Sequence, residues 1–400
     1  MKIAIVSGHF MPEIGYQETH LAKAFSRGGH EVCVFSTTAI SPTGQKVIRQ
    51  DYQSGQSRNK EYGFSVVRLK PAFRLNSKVM AMQLQDQVKK FAPDLIVILA
   101  LAKLFPAPLL TKKFKAVAKV ALFGDAAEYA DKSTVVKRVT SSLQHFAARF
   151  TKGYLYNKAV ENCSAIVLNL PETENYFKSL LSPGNTKLFS DKKVMLNLGY
   201  DPDTFFFDEA SRVRLRDELN IPESSCVIIT ATRVHRAKKL ENVIHAVTLL
   251  KSKGMDVHYI LIGMHGDDYE KELRALIDQQ PNPEIFHCFP FFDQEKLRAY
   301  YSSADIGLWT KAAISIQEAM GTGLPILLEN KPSVNHLLKE GVTGWYYDSK
   351  QFDSKLTDAC TTLLSTEVEE RKSNRLRNVA VNSSVFSYDV IAKKITDTVS

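Results

Sequence analysis

Residues 309–325 read WTKAAISIQEAMGTGLP, and the most informative local pattern of the chain lies here. The apolar run 306–309 before it predicts a buried strand that ends at Thr310. Small residues follow, a short helix is predicted to begin near Ser315, and two glycines end it before the apolar run 326–328. A strand that leads through small residues into a helix leaves backbone N–H groups free beside a positive dipole end. This geometry suits a bound phosphate group.

Glu318 lies one turn inside this predicted helix and has two interpretations. Its carboxylate is placed to accept hydrogen bonds from a ribose diol, while phosphates lie at the helix start. Alternatively, Ser315-x-x-Glu318 is a capping box, in which the glutamate only bonds back to the start of the helix. The quartet by itself leaves both interpretations open.

Short apolar runs alternate with helix-period segments along the whole chain. The predicted strands are 3–7, 31–36, 66–69, 95–100, 117–123, 165–170, 194–198, 227–231, 257–262, 285–289 and 306–309. The predicted helices are 17–27, 77–91, 134–161, 172–181, 240–253, 268–279, 293–302 and one that begins near 353. Nearly continuous apolar strands that alternate with helices predict an α/β fold with parallel, doubly wound sheets.

The length of 400 residues suits two domains rather than one. The segment 182–208 is rich in Ser, Pro, Gly, Asn and Asp and breaks the alternation, so we place a domain boundary within it. Two tandem Rossmann-like domains are predicted, at 1–192 and 193–385. Ligands of such sheets bind outside the carboxyl ends of the strands, so a central cleft that both domains face is the expected site.

Bulk composition limits the function classes. The chain contains no apolar run long enough to span a bilayer, and the apolar start of the chain is too short for a signal peptide. Five well-separated cysteines fit the reducing cytosol, and neither they nor the histidines have metal-ligand spacing, so no metal is expected. The net charge of +9 suits an anionic ligand, an acidic membrane surface or ordinary solvated surface. Without an aromatic-basic platform, no nucleic-acid partner is expected.

Two basic residues follow the predicted strand 227–231. An arginine at the strand tip, Arg233, and a lysine five residues later, Lys238, can both reach one point beside that strand. Two cations there would neutralise a leaving diphosphate, which is the role of a metal ion in other enzymes. The alternative is a solvated basic turn, because Arg236 and Lys239 lie in the same stretch.

Other residues at predicted strand ends complete the set of candidates. Gly263 directly follows the predicted strand 257–262. It either lets the backbone approach a nucleotide or merely turns the chain. Gly15 lies in the first strand-to-helix loop, with the same two interpretations. Asp125 and Glu128 follow the strand 117–123, where a carboxylate serves as an acid or base, or caps a helix. The basic helix 134–161 is either a core helix or a membrane-surface helix.

Taken together, these residues resemble the retaining glycosyltransferases of family 4, which have the GT-B architecture. The likeness covers nearly the whole chain, in segments 15–18, 29–32, 197–201, 317–325, 341–345 and 386–388. The most specific segment is QEAMGTGLP at 317–325, and the family's Arg-x4-Lys pair falls on Arg233 and Lys238. The resemblance implies that this pair binds the donor phosphates and that Glu318 holds the ribose. It also implies that residues 386–400 form a helix that crosses back to the N-terminal domain.

The chain departs from the family pattern at the donor-sugar position. Thr310 stands where the first of two family glutamates contacts the donor sugar, and two alanines replace the Phe-Gly that usually follows. The resemblance still implies donor contacts from the backbone N–H groups of Ala313 and Ile314 and from Ser315. It aligns Asp125 with an acidic residue that some members carry.

The resemblance implies a cytoplasmic transferase with an acceptor-binding domain at 1–192 and a nucleotide-sugar-binding domain at 193–385. The enzyme would move a hexosyl or N-acetylhexosaminyl group, with retention and without a metal or cofactor. The expected donor is a UDP-sugar, and the expected acceptor is a glycan, a lipid-linked glycan or a cell-envelope polysaccharide. Contact with the inner face of the membrane stays open. Because Thr310 lacks a carboxylate, a non-catalytic glycosyltransferase-like partner or glycan-binding subunit is an alternative, and a nucleotide-sugar epimerase is another.

Overall fold

The structure, a computed structural model, describes residues 1–42, 44–46, 48, 50–124 and 152–399. They form two compact units, Met1–Leu198 with Tyr388–Ser400, and Gly199–Ser387. The predicted boundary after residue 192 is too early, because strand Lys193–Met195 pairs with Ala165–Leu168 and belongs to the first unit. The second boundary lies after Ser387 rather than after residue 385.

The first unit contains ten strands and several helices among its described residues. Its strands are β1 Lys2–Val6, β2 Glu31–Thr37, β3 Gly55–Arg58, β4 Ser65–Leu69, β5 Phe73–Leu75, β6 Lys78–Met80, β7 Leu95–Leu99, β8 Ala118–Phe123, β9 Ala165–Leu168 and β10 Lys193–Met195. Its helices are α1 Gln17–Arg27, α2 Leu84–Phe91, α3 at 152–162, α4 Pro171–Leu180, α5 Pro183–Lys192 and α13 Tyr388–Asp397. Its short 3-10 helices are Gly44–Lys46, Leu101–Lys103, Ala107–Leu109 and Lys112–Phe114.

The main sheet of the first unit has the order β10-β9-β8-β7-β1-β2-β4-β3. Its neighbouring strands are parallel except that β3 runs antiparallel to β4. Along β7, Ile96 and Ile98 pack into one apolar cluster, whereas Leu95 and Val97 pack into the cluster on the other face. The strands are apolar without interruption because helices cover both faces of the sheet.

The second unit repeats this plan. Its strands are β11 Cys226–Ala231, β12 Val257–Met264, β13 Phe286–Pro290, β14 Ile306–Trp309, β15 Ile326–Glu329 and β16 Gly344–Tyr347. Its helices are α6 Glu209–Glu218, α7 Leu240–Ser252, α8 Asp268–Asp278, α9 Gln294–Ser303, α10 Ser315–Gly321, α11 Phe352–Ser365 and α12 Val368–Phe386. Its short 3-10 helices are Arg236–Lys238, Pro283–Ile285 and Ser349–Gln351. All neighbours in the order β13-β12-β11-β14-β15-β16 are parallel. The predicted α/β class with two Rossmann-like domains is therefore confirmed.

One element prediction in the first unit is wrong, and one helix of that unit was not predicted. The predicted helix 77–91 begins only at Leu84, because residues 78–80 pair with β5 in a hairpin whose turn includes Asn76 at a positive φ of 52°. In the segment 182–208, for which only the strand 194–198 was predicted, helix α5 begins at Pro183, where proline needs no N–H partner. Phe189 of α5 stacks on Phe177 with ring centroids 4.8 Å apart, and this contact outweighs the poor local propensity.

Helix α13 belongs to the first unit because it packs against α1 there. The ring of Tyr388 stacks on that of His20 with centroids 5.2 Å apart, and Arg27 forms an ion pair of 2.7 Å with Asp389. Within the described ranges, no helix has both the length and the apolar character needed to cross a bilayer.

Candidate functional site

Three neighbouring strands of the second unit end at the same edge of their sheet. Strands β12, β11 and β14 are adjacent and parallel, so the loops after them meet. The β11 loop is held to β12 by the bond from the Thr232 N–H to the Ile262 carbonyl, at 3.0 Å. This edge carries most of the predicted donor residues, and in open α/β sheets it is where ligands bind.

The turn between β14 and α10 is anchored to the end of β11. The Ser315 hydroxyl donates to the Ala231 carbonyl at 2.6 Å, and the indole N–H of Trp309 donates to the same carbonyl at 2.9 Å. Because the Ser315 side chain is used in this way, it does not cap the helix, which begins after Ile314 without a side-chain cap. The capping-box interpretation is wrong, and the N–H groups of Ile316, Gln317 and Glu318 donate to the backbone carbonyls of Ala313 and Ile314.

Glu318 is half-buried one turn inside α10. Burial raises the pKa of its carboxyl to about 7, while a hydrogen bond from the Gln294 side chain acts in the opposite direction. Burial, and then the charge of Glu318, raises the pKa of Tyr301. The carboxyl group therefore faces the start and the body of α9 rather than its own helix start. Sequence reasoning missed Gln294, whose only signal is its position at the beginning of a helix.

Lys238 lies against the turn that leads into α10. Its Nζ donates to the Ala312 carbonyl at 3.2 Å, and the Thr310 hydroxyl donates to the Lys238 carbonyl. Burial lowers the pKa of Lys238, and the neighbouring charges of Lys311 and Arg233 lower it further. Three cations thus converge on this turn, which is an electrostatic arrangement that favours a bound anion.

The members of this cationic group differ in exposure. Lys238 is half-buried, whereas Arg233 is exposed and has no ion-pair partner among the described residues. Lys311 was not predicted, and its signal was available, because it is the second residue after the end of β14. An exposed, unpaired arginine beside a half-buried lysine can move onto a ligand without breaking an existing contact.

Gly263 has a structural reason to be glycine. It lies in β12 at a bulge, with φ of 118°, and a Cβ there would come within 2.0 Å of the Thr232 carbonyl oxygen. The close approach that the sequence indicated is to the β11 loop. A contact of Gly263 with a nucleotide stays a prediction.

The first unit carries its own candidates at the carboxyl edge of its sheet. Gly15 follows β1 at a positive φ of 69°, and Glu18 in the first turn of α1 is half-buried, with burial raising its pKa to about 7. The Asn169 side-chain amide, just after β9, donates to the Gln17 amide oxygen at 3.1 Å. Among these, Gly15 was predicted from the sequence, and its donor contact stays a prediction. Asp125 and Glu128, with most of the predicted helix 134–161, lie outside the described residues.

Two histidines, whose side chains are common metal ligands, lie next to each other in the second unit. His258 and His287, on the neighbouring strands β12 and β13, approach to 3.2 Å between Nδ1 and Nε2. The spacing of the histidines along the chain does not show this pair, because strand pairing brings together residues that are distant in sequence. In the described part of the chain, no group of three or more His, Cys, Asp or Glu side chains is placed to hold a metal ion.

Comparison with known proteins places this architecture among glycosyltransferases. Residues 211–380 match the family described as glycosyl transferases group 1. The amylovoran biosynthesis glycosyltransferase AmsK of Erwinia amylovora is 26% identical over 166 residues, which cover 39% of this chain and 38% of that protein. The match thus spans well under half of this relative's length.

Solved structures extend the likeness of the fold to the whole chain. Anabaena Alr3699/HepE in complex with UDP and glucose has a TM-score of 0.67 at 17% identity and covers 100% of this chain and 99% of its own. The catalytic domain of starch synthase IV from Arabidopsis thaliana, bound to ADP and acarbose, has a TM-score of 0.68 at 13% identity and covers 99% and 98%. The chain has the GT-B fold of these glycosyltransferases, and its residues 211–380 match the glycosyl transferases group 1 family.

Proposed function

We propose that this protein is a retaining glycosyltransferase that uses a nucleotide sugar, with UDP as its nucleotide. The observation that carries the proposal is the meeting of three cations at the turn before α10, with the half-buried Glu318 one turn inside. Cations beside the positive dipole end of a helix suit a diphosphate, and a carboxylate one turn further along that helix suits a ribose diol. The complex of HepE with UDP and glucose supports the choice of nucleotide.

The catalytic role of the second unit would be to stabilise the leaving diphosphate. As the bond to the anomeric carbon breaks, negative charge grows on the phosphate oxygen, and Lys238 and Arg233 lie where they can offset it. The acceptor hydroxyl attacks the same face, and the leaving phosphate oxygen takes its proton, which retains the anomeric configuration. Retention is tested by NMR of the purified product, and an inverted anomer would refute this part of the proposal.

The donor nucleotide is tested with a thermal-shift panel of UDP, GDP, ADP and dTDP. UDP is expected to raise the melting temperature most, because a ligand that binds only the folded state stabilises it by mass action. Stabilisation by another nucleotide without any effect of UDP would overturn the choice of base. A donor-sugar screen with product mass spectrometry would then identify the sugar and the acceptor, which we propose to be a glycan or lipid-linked glycan.

The Glu318 carboxyl gives the UDP affinity a pH dependence. Ionised carboxylate is the better acceptor for a ribose diol, and with a pKa of about 7 most of it is protonated at pH 6 and ionised at pH 8. UDP is therefore expected to bind about 10-fold more tightly at pH 8 than at pH 6. Calorimetry on Glu318→Gln is the control, because that variant shares the titration of UDP itself but lacks the carboxylate. Equal pH slopes for the two proteins would exclude the ribose contact.

Thr310 is proposed to position Lys238 rather than to contact the donor sugar through a carboxylate. Its hydroxyl donates to the Lys238 carbonyl, and Thr310→Val removes this bond while keeping the shape of the side chain. Because a single hydrogen bond contributes about 1 kcal/mol, kcat is expected to fall about 5- to 10-fold. Thr310→Ser keeps the hydroxyl and should retain most activity. If the two variants have the same kcat, the hydroxyl has no positioning role.

The non-catalytic alternative is distinguished by slow hydrolysis of the donor. A transferase incubated with a UDP-sugar and no acceptor is expected to release UDP slowly, because water replaces the acceptor. A glycan-binding subunit would neither bind the UDP-sugar nor release UDP.

A further inference from the structure

A second group of cationic side chains, all of them arginines, lies at the opposite edge of the same sheet, away from the carboxyl ends of β11, β12 and β14. Asp305, the residue before β14, accepts hydrogen bonds from Arg212 at 2.9 Å and from Arg216 at 2.5 Å. Arg371 of α12 lies 3.5 Å from the same carboxylate. The nearby Arg375 donates to the carbonyls of the segment that ends α9.

The cluster contains more positive than negative charge. Its carboxylates are Asp305 and Glu223, and Glu223 pairs with Arg212 at 2.6 Å. Four guanidinium groups, those of Arg212, Arg216, Arg371 and Arg375, therefore share two carboxylates. The carbonyl dipoles that meet Arg375 satisfy its hydrogen bonds but supply no full negative charge. Buried charges without counter-charge are costly, so the arrangement favours an additional anion.

Arg371 is nearly buried beside a cavity, and not all of its donors are used. Only 7% of its side chain is exposed. Its Nη2 donates to the carbonyls of Glu223 and Ser224, its Nη1 lies 3.5 Å from the Asp305 carboxylate, and its Nε has no hydrogen-bond partner among the described residues. It lines a cavity of about 250 Å³ with Arg377, which is exposed, and with the apolar side chains of Val342 and Trp345. A nearly buried guanidinium whose hydrogen-bonding capacity is only partly used is the kind of group that a ligand oxygen would satisfy.

We propose that this cavity, lined by Arg371, Arg377, Val342 and Trp345, binds a phosphate monoester with a sugar-sized body. The phosphate would accept hydrogen bonds from Arg371 and be neutralised by Arg377 at the rim. The body would lie on the apolar wall that Trp345 forms. The cavity is too small for a whole nucleotide sugar. Because the cavity lies at the amino ends of β14, β15 and β16, its ligand does not compete with the donor.

The test is calorimetric titration of the full chain in phosphate-free buffer with glucose 6-phosphate, inorganic phosphate and glucose. Glucose 6-phosphate is expected to bind most tightly, inorganic phosphate more weakly, and glucose not measurably. Losing a charged donor should weaken glucose 6-phosphate binding about 10-fold or more in Arg371→Gln and in Arg377→Gln. Arg377 is exposed, so its replacement tests the site even if Arg371→Gln disturbs packing. Arg214→Gln is the matched control, because Arg214 is an exposed arginine of α6 outside the cavity.

The outcomes also separate this site from the donor site. UDP affinity should be the same in Arg371→Gln as in the unmodified protein, and saturating UDP should leave glucose 6-phosphate binding unchanged. If UDP fails to bind while glucose 6-phosphate binds and responds to Arg371, the donor proposal fails and this one stands. Absence of glucose 6-phosphate binding, unchanged affinity in both cavity variants, or displacement by UDP would overturn it.

Discussion

Lys238→Ala and Arg233→Ala are each expected to lower kcat by about 100- to 1000-fold, because each removes a cation from the growing charge of the leaving diphosphate. Lys238 contacts the turn before α10 through the Ala312 carbonyl, and burial, followed by the charges of Lys311 and Arg233, lowers its pKa. A group that acts on the transition state should lower kcat more than it weakens UDP binding. Initial rates and UDP titrations on the same preparations separate the two effects.

The control for this pair is Arg236→Ala. Arg236 belongs to the same basic stretch but is exposed and paired with Glu272. An exposed ion pair contributes about 0–1 kcal/mol, so its loss should leave kcat within about 2-fold. Lys238→Arg should recover part of the lost activity, because it keeps the charge but changes its geometry. Near-normal turnover in both alanine variants would remove the phosphate role from these residues.

The second large effect concerns stability. Asp305→Ala is expected to destabilise the second unit by about 3–5 kcal/mol, because it leaves buried guanidinium groups without their counter-charge. The carboxylate also accepts a hydrogen bond from the Val227 N–H at 2.8 Å, which fixes the start of β11. Both tryptophans of the chain, Trp309 and Trp345, lie in this unit, so urea unfolding followed by tryptophan fluorescence reports it selectively.

The pH dependence of this effect has a defined sign. Burial alone would raise the pKa of Asp305, but the charges of Arg212 and Arg216 hold it below its usual value. The ionised Asp305 carboxylate therefore contributes its full stability above the pKa of an aspartate in the unfolded chain, which is about 4. This contribution is lost as the pH falls through the lower pKa that Asp305 has in the folded protein. The stability gap between Asp305→Asn and the unmodified protein should narrow below about pH 4. Asp268→Ala, which removes a carboxylate that is 91% exposed, should cost less than about 0.5 kcal/mol. An equal cost for both alanine variants would contradict this account.

Much of the second unit was predictable because its signals are local. The strand 306–309, the turn and the helix from Ser315 lie where the apolar pattern and the glycines indicated. The start of the predicted helix 77–91 was wrong, and helix α5 was not predicted, because the contacts that decide them are not local. A hairpin and the stacking of Phe189 on Phe177 are contacts with distant or weakly patterned residues, which a local window does not contain.

For the candidate site too, the sequence identified residues, whereas the contacts of those residues became known only from the fold. Glycines and strand ends located Gly263 and Ser315, but only the fold showed that Gly263 is packed against Thr232 and that Ser315 is bound to Ala231. The sequence identified Lys238 but could not reveal that Thr310 holds its backbone.

By itself, the sequence determined the α/β class, the division into two Rossmann-like units and most strands, because apolar periodicity and turn residues act over a few neighbouring positions. Which charges lie together at one site became known only from the three-dimensional arrangement of the strands and helices. The grouping of Arg233, Lys238 and Lys311, and the excess of arginines around Asp305, depend on strand order and helix packing. Those arrangements join residues far apart along the chain, and charges have no local pattern that marks their distant partners.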